Sequence, residues 1–349
     1  MGRSGPSVFR EVVLPQLAPA IGAGALLVSL YVLHDFGAVS ILRFDSFTRT
    51  IYTAYSSGSR TSAAALATLL VLVMLAVLWV EGRARVRTGA VHRSAPGSAR
   101  PVPVLALGRW RWPAVGFCST VVLIALVLPV AVLGYWSLQS VSGSPDWAAI
   151  AAGAGNSLLA AGLAAAAAAA LAVPVAMLSA RHPGVLSALV ERSSHAGYAL
   201  PGIVVALALV FFGTRVAEPL YGSLAVLVFA WVVLFLPQAI GSIRASLLQV
   251  SPRVEEAARS MGRGPFAVLR TITAPLAAAG VTAGAALVFL TAIKELPAAL
   301  ILAPIEFETL STEIWRATSV GFFERGAVPS LVLLGLSAVP LYLLTARSE

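Results

Sequence analysis

Adjacent ionisable residues stand at two places where an apolar stretch ends. His34 and Asp35 follow the first such stretch, and Lys294 and Glu295 follow a later one. Ionisable groups near lipid depth are costly, so they tend to mark the pathway of an ion or a proton. The alternative is a pair that reaches the outer interface and forms a salt bridge there. We predict these four residues as candidate translocation-path residues and keep the salt-bridge alternative open.

Patterns for other chemistry are missing from the sequence. The four histidines are scattered without metal-ligand spacing, and the single cysteine, Cys118, excludes a disulfide scaffold and a cysteine-based zinc cluster. A phosphate-binding loop needs a lysine that follows glycines, whereas the one lysine, Lys294, lies in IKELP. We therefore predict no catalytic residue and no ATP hydrolysis by this chain, and leave metal ligands unknown.

The composition is that of a membrane protein. Hydrophobic residues make up 58% of the 349 residues and charged residues 11%, compared with about 45–50% and about 25% in soluble domains. A single core of this size cannot bury so much apolar surface, so the excess must face lipid. We predict an all-α polytopic protein with about eight transmembrane helices, at 17–34, 62–80, 114–136, 156–178, 197–213, 220–240, 276–293 and 328–345.

The basic residues predict the orientation of these spans. With both termini in the cytoplasm, 17 of the 24 Lys and Arg residues fall in the inner segments. The formal net charge of +9 is then largely a topology signal, and the tryptophans that alternate with arginines, Trp110 and Trp112, are typical of membrane-interface anchors for the third span. We therefore expect the lipid bilayer, and no nucleic acid, as a partner.

The chain contains an internal repeat. Residues 1–30 and 261–290 are identical at 13 of 30 positions without a gap, including Gly24 and Gly284. Each copy is followed by one of the charged pairs, an outer loop and one more span. Such a parallel duplication is a known architecture of transporters.

Residues 251–275, which lead into the second copy and include its first 15 residues, are called the elbow here. Ser251 can cap a helix that begins at Pro252, Gly262 can end it, and Pro265 can begin a second short helix. Apolar residues on the first helix fall on one face, at Val254, Ala257, Ala258 and Met261. This pattern predicts a helix–turn–helix along the inner membrane surface that docks another protein. An interfacial helix that touches only lipid and a solvated loop are the alternatives.

The elbow resembles the signature loop of type-1 permease subunits of bacterial ATP-binding-cassette (ABC) importers. That signature is Glu-Ala-Ala, three residues, Gly, nine residues, Ile, one residue and Leu-Pro. The second copy matches it at Glu256, Ala257, Ala258, Gly262, Ile272 and Pro275, with Glu255 directly before and Ala274 in place of Leu. The first copy supplies Gly2, Val12 in place of Ile, and Leu14-Pro15. Segments 33–55 and 294–302 are similar to the ferric-iron branch of the family.

The resemblance implies a domain organisation. It makes residues 1–81 the C-terminal remnant of a first permease module, 82–111 a basic cytoplasmic linker, and 112–349 a complete six-span module with its transmembrane domain at about 152–345 and its cytoplasmic coupling loop at 251–275. A first module should hold about four spans and a Glu-Ala-Ala before Gly2. We therefore expect an N-terminally truncated form of a fused two-module permease, through a late start site, a broken gene or a separate polypeptide.

The resemblance also implies a function and partners. In the family a dimeric ABC ATPase docks on this loop and a periplasmic binding protein delivers the substrate. The chain is therefore expected to be an inner-membrane permease for ferric iron, with ATP and Mg²⁺ on the ATPase and no cofactor of its own. Related branches transport thiamine, sulfate or polyamines. A secondary transporter driven by an ion gradient and a non-transporting scaffold are the alternatives from other classes.

Overall fold

A computed structural model of the chain describes residues 5–88, 107–139, 145–182 and 200–346, with a few single positions between 183 and 199. In this part of the chain every regular element is helical, which confirms the predicted all-α class. The α-helices in chain order are α1 (Gly5–Val8), α2 (Leu14–His34), α3 (Gly37–Ile41), α4 (Phe47–Ser56), α5 (Arg60–Thr88), α6 (Arg111–Val122), α7 (Leu128–Leu138), α8 (Trp147–Arg181), α9 (Gly202–Arg215), α10 (Leu224–Gln249), α11 (Pro252–Ser260), α12 (Pro265–Val268), α13 (Ala274–Ala292), α14 (Pro297–Leu302), α15 (Leu310–Ser319) and α16 (Phe323–Ala346).

Three π-helical turns and two 3₁₀ turns complete the secondary structure of the described residues. The π turns continue the chain between α1 and α2, between α6 and α7, and between α12 and α13; they are π1 (Phe9–Val13), π2 (Leu123–Val127) and π3 (Leu269–Thr273). The 3₁₀ turns are Gly108–Trp110 and Glu218–Leu220.

The predicted spans correspond to helices. Six helical stretches in the described residues are long and apolar enough to cross a membrane, at Arg60–Val80, Gly108–Leu138, Trp147–Arg181, Leu224–Gln249, Phe266–Ala292 and Phe323–Tyr342. The other two predicted spans contain shorter apolar helices, Gly24–His34 and Gly202–Arg215. The third long stretch begins earlier than predicted because the Asp146 carboxylate accepts bonds from the first backbone N–H groups of α8. The predicted linker 82–111 begins as helix, because α5 runs to Thr88, and residues 89–106 lie outside the described residues.

Helices α8, α10 and α13 form the centre of the second half of the chain. The alanines of α8 that face α10 and α13 recur every fourth residue and are buried, at Ala164, Ala168, Ala172 and Ala176. Residues four apart share one face of a helix, and small side chains let neighbouring backbones approach closely in lipid. Thr291 of α13 also donates a hydrogen bond to Gln238 of α10, at 3.2 Å. Close contact at small residues therefore joins these spans, together with large buried side chains of α10 such as Ile240 and Ile243.

The closest approach lies between α13 and α10, at two glycines. A Cβ atom at Gly280 would lie 2.4 Å from the Ser246 Cβ and 2.9 Å from the Ser242 carbonyl oxygen. A Cβ at Gly284 would lie 3.1 Å from the Ala239 Cα. Glycine is therefore required at Gly280 by packing against backbone atoms.

The two copies of the repeat fold in the same way and in register. The turns π1 and π3 begin 260 residues apart, at Phe9 and Leu269. After the next span the offset becomes 263, and two non-glycine residues with positive φ, Arg43 (54°) and Glu306 (67°), occupy the same place in each copy. Each copy then has a hydroxyl N-cap, Ser46 before α4 and Thr309 before α15. The two copies are thus structurally equivalent beyond residues 1–30, as far as α5 in the first copy and α16 in the second.

Substitution of Gly280 tests the close contact. We expect Gly280→Ala to destabilise the folded protein by about 1–3 kcal/mol, because the added methyl group overlaps atoms of α10. The readout is the midpoint of thermal unfolding of the purified protein in detergent. The matched control is Gly241→Ala on α10, where nothing lies within 4 Å of the added Cβ. Equal midpoints for the two variants would contradict the packing described above.

Candidate functional site

The elbow has the local structure that its residues predict. Helix α11 begins at Pro252 and ends at Ser260, and Gly262 has a φ of +84°, a conformation open to glycine at little cost. Helix α12 then begins at Pro265, as expected. One detail is wrong: Ser251 occupies the N-cap position, but its side chain makes no capping hydrogen bond.

The apolar face of the elbow points away from the rest of the chain. Val254 is 48% exposed, Met261 75% and Phe266 74%, whereas Ala258 is buried. Glu256 and Ala257 are also exposed. An ordinary surface helix buries its apolar stripe and exposes its charges. The elbow thus exposes apolar side chains and the backbone at Gly262 together with charged groups, among them the carboxylate of Glu256.

The charged residue that turns inwards is Glu255. Its Oε1 accepts a hydrogen bond from Nη2 of Arg181 at 2.8 Å and one from Oγ1 of Thr273 at 3.1 Å. The Glu255 and Arg181 side chains are only 8% and 12% exposed. The same Arg181 Nη2 donates to the Val250 carbonyl at 3.2 Å, and Arg259 lies 3.8 Å from the other Glu255 oxygen. One carboxylate therefore joins α11 to the end of α8 and to π3.

The remaining predicted residues of the two loops are arranged as follows. Ile272 lies in π3 and is half-buried, and Pro275 is in the first turn of α13 and exposed. In the first copy Pro15 is in the first turn of α2 and also exposed. Gly2 lies outside the described residues.

His34 connects the first copy of the repeat to α9. Its Nε2 lies 2.8 Å from the carbonyl oxygen of Leu200, just before α9, and its Nδ1 lies 3.0 Å from the carbonyl oxygen of Leu30. The backbone carbonyl of Asp35 accepts a hydrogen bond from Thr48 at 2.6 Å. Both residues of this charged pair therefore have contacts that hold the outer part of the first copy.

Glu295 holds the equivalent turn in the second copy. Its carboxylate accepts hydrogen bonds from the Ala298 backbone N–H at 3.0 Å and from Nε1 of Trp231 at 2.8 Å. A Cβ at Gly202 would lie 2.3 Å from its Oε1, so the carboxylate presses against α9. Its backbone carbonyl accepts from Ser311, as that of Asp35 accepts from Thr48. Lys294, in contrast, is exposed.

A cavity of about 400 Å³ lies where the two copies meet. Tyr52 of α4 and Trp315 of α15, which are equivalent positions of the repeat, line it with ring centroids 6.1 Å apart. Glu306, Glu308 and Arg316 also line it, and Arg316 forms an ion pair with Glu308. The described residues include no cluster of three metal-ligating side chains.

A further carboxyl group stands close to this cavity, on α15. Burial raises the pKa of the Glu313 carboxyl, the nearby Glu308 raises it further, and Arg316 acts in the opposite direction. A carboxyl group with a raised pKa loses its charge at a higher pH than an exposed glutamate does.

A polytopic helical bundle with an internal parallel repeat and an exposed elbow defines a permease component of a membrane transporter. The family model described as "Binding-protein-dependent transport system inner membrane component" matches residues 172–348. The chain belongs to this family, and it is a multi-pass membrane permease subunit of the ABC type.

Three relatives are informative. The Fe(3+)-transport system permease protein FbpB 2 of Haemophilus influenzae is 35% identical over 99% of this chain and 69% of its own length. A probable molybdenum ABC transporter permease of Haloferax volcanii is 29% identical over 73% of this chain and 97% of its own. The molybdenum transport permease ModB of Escherichia coli is 30% identical over 40% of this chain and 67% of its own.

Several residues of the site escaped the sequence analysis. Arg181 and Thr273 contact Glu255, and Trp231 and Gly202 contact Glu295, across separations of 18 to 93 residues. Arg181 is the last residue of its span. The predicted orientation of the chain already explains a basic residue at this inner end. Nothing in its local pattern therefore singled it out.

The role of Glu295 can be tested by truncation. We expect Glu295→Ala to destabilise the protein by about 1–3 kcal/mol for each donor left without a partner, because the Ala298 N–H and the Trp231 indole lose their acceptor. The readout is the thermal unfolding midpoint in detergent. Lys294→Ala, at the exposed neighbouring position, is the matched control and should change the midpoint little. A larger effect of Lys294→Ala would contradict the capping role.

Proposed function

We propose that the chain is the permease through which ferric iron crosses the inner membrane, driven by a separate dimeric ABC ATPase that docks on the elbow. The observation that carries the docking part is the exposure of Val254 and Met261 on the elbow, beside a buried Glu255. A surface that exposes apolar side chains favours an interaction with another molecule. Small residues next to it, Ala257 and Gly262, let a partner approach closely.

The sidedness proposed from the basic residues fits this arrangement. Both termini and the elbow would lie in the cytoplasm, where ATP is available, and the cavity between the two copies would face the opposite side. In this arrangement a periplasmic binding protein delivers the substrate, and ATP and Mg²⁺ are held by the ATPase. The chain itself binds no cofactor.

Support for ferric iron comes from the relatives. FbpB 2, which is named as an Fe(3+)-transport permease, is 35% identical over 99% of this chain. Ferric iron is a hard cation that prefers oxygen ligands. Glu306 and Glu308 line the cavity together with the ring of Tyr52. We include in the proposal that these cavity residues contact the ion. The charged pairs His34-Asp35 and Lys294-Glu295 are proposed to contact it as well.

Molybdenum is the second candidate substrate, because two of the relatives are named as molybdenum permeases. The lining of the cavity distinguishes the two. The negative charges of Glu306 and Glu308 would repel an oxyanion such as molybdate. Arg316 is paired with Glu308, so it leaves little free positive charge in the cavity. This charge balance favours a cation.

Gly262→Arg tests the docking surface. The Arg side chain would project from the elbow surface on which the ATPase is proposed to dock. We therefore expect the ATPase to be lost from the purified protein and ATP-dependent uptake to fall at least about tenfold, as for a residue at the centre of an interface. Membrane insertion should persist. Gly262→Ala is the matched control, because it has the same unfavourable positive φ but adds only a methyl group, and it should lose much less. Full uptake by Gly262→Arg would contradict the proposal.

Transport assays in vesicles test the energy source and the substrate. We expect uptake of ferric iron that requires ATP, the ATPase and the binding protein, and that is insensitive to collapse of the proton gradient. Molybdate should not be transported. Uptake that follows the proton gradient and ignores ATP would identify a secondary transporter instead, and uptake of molybdate alone would replace the proposed substrate.

A further inference from the structure

A single carboxylate ties the elbow to two membrane spans. Glu255 belongs to α11, Arg181 is the last residue of α8, and Thr273 is the last residue of π3, directly before α13. Both of the other groups donate to the same oxygen of Glu255, at 2.8 Å and 3.1 Å. We call these three residues the clasp. The spans it reaches, α8 and α13, are two of the three central helices.

The clasp is the main polar attachment of α11 to the bundle. Glu255 and Ala258 are the buried residues of this helix, and Ala258 contributes only a methyl group. Glu256 and Arg259 point outwards and are exposed. A buried ion pair with good geometry holds its elements firmly, because separating the partners leaves a charge without compensation. Among the described residues, Glu255 therefore links α11 directly to the end of α8 and to the residue before α13.

Thr273 lies where the hydrogen bonding of its span is irregular. The turn π3 interrupts the α-helical hydrogen bonding of the stretch from Phe266 to Ala292. π turns inside helices are frequent at functional sites. Thr273, at the end of this turn, is the residue through which Glu255 of α11 contacts the chain directly before α13. A displacement of α11 therefore acts where the helix is already irregular.

We propose that Glu255, Arg181 and Thr273 are positioning residues that transmit the displacement of the elbow to α8 and α13. The proposal rests on the function proposed above, in which an ATPase docks on the exposed face of the elbow. It separates two tasks within one helix. The outward face holds the ATPase, and the inward carboxylate converts movement of the ATPase into movement of the spans.

Two variants test the clasp in the complete transporter, assembled from the full chain, the ATPase and the binding protein in liposomes. Uptake of ferric iron and hydrolysis of ATP are measured in the same vesicles. We expect Glu255→Gln to lower the uptake per ATP hydrolysed by about tenfold, because the charge that holds Arg181 is lost. The ATPase should still copurify in the wild-type proportion, because the outward face is unchanged. Glu218→Gln, the same chemical change at an exposed residue far along the chain from the elbow, should leave the ratio unchanged.

Thr273 provides the second, milder test, which decides the question even where Glu255→Gln does not fold. Thr273→Val keeps the shape of the side chain and removes one donor, and we expect the ratio to fall at least about threefold, because the carboxylate loses one of its hydrogen bonds. Thr273→Ser keeps the hydroxyl and should retain the wild-type ratio. A merely structural role would lower the amount of folded transporter and leave the ratio intact.

The outcomes separate the clasp from the function on which it rests. Wild-type ratios in both Glu255→Gln and Thr273→Val, with the ATPase bound, would overturn the clasp and leave the docking proposal standing. Failure of the ATPase to copurify with the wild-type chain would overturn the docking proposal itself.

Discussion

The structure depends on how helices associate in a membrane. Between two apolar helices in lipid there is no hydrophobic driving force, so close contact between small side chains and hydrogen bonds must hold them together. Helices α8, α10 and α13 meet this requirement with an alanine stripe on α8 and with Gly280 and Gly284 on α13. The elbow, which connects α10 to α13, and the turn at Glu295, which follows α13, are both attached to these three helices.

The elbow is attached to this core in an unusual way. Its charged residue Glu255 is buried and paired, whereas Val254, Met261 and Phe266 are exposed. The burial of a carboxylate is tolerated because Arg181 and Thr273 satisfy one of its oxygens. The apolar residues are thereby left exposed, on the surface where we propose that a partner docks.

The repeat explains the opposite end of the bundle. Asp35 and Glu295 are equivalent residues, and each offers its backbone carbonyl to a hydroxyl on the helix that follows, Thr48 or Ser311. Tyr52 and Trp315 are also equivalent, and their rings contact each other edge-on in the wall of the cavity. Equivalent residues that touch must lie near the pseudo-symmetry axis. The cavity therefore lies beside this contact, with Tyr52 of the first copy in a lining that otherwise comes from the second copy.

The sequence alone determined the membrane class, the position of the spans, the register of the repeat and the turns of the elbow. These features follow from local rules: apolar length, proline at a helix start, and glycine where φ is positive, as at Gly262. Which face of the elbow is buried, and that Glu255 pairs with Arg181 while Glu295 binds Trp231, came only from the tertiary structure. Periodicity predicts that a helix has an apolar face but not what that face meets. The partners lie 74 and 64 residues away, and only the packing of the spans brings them together.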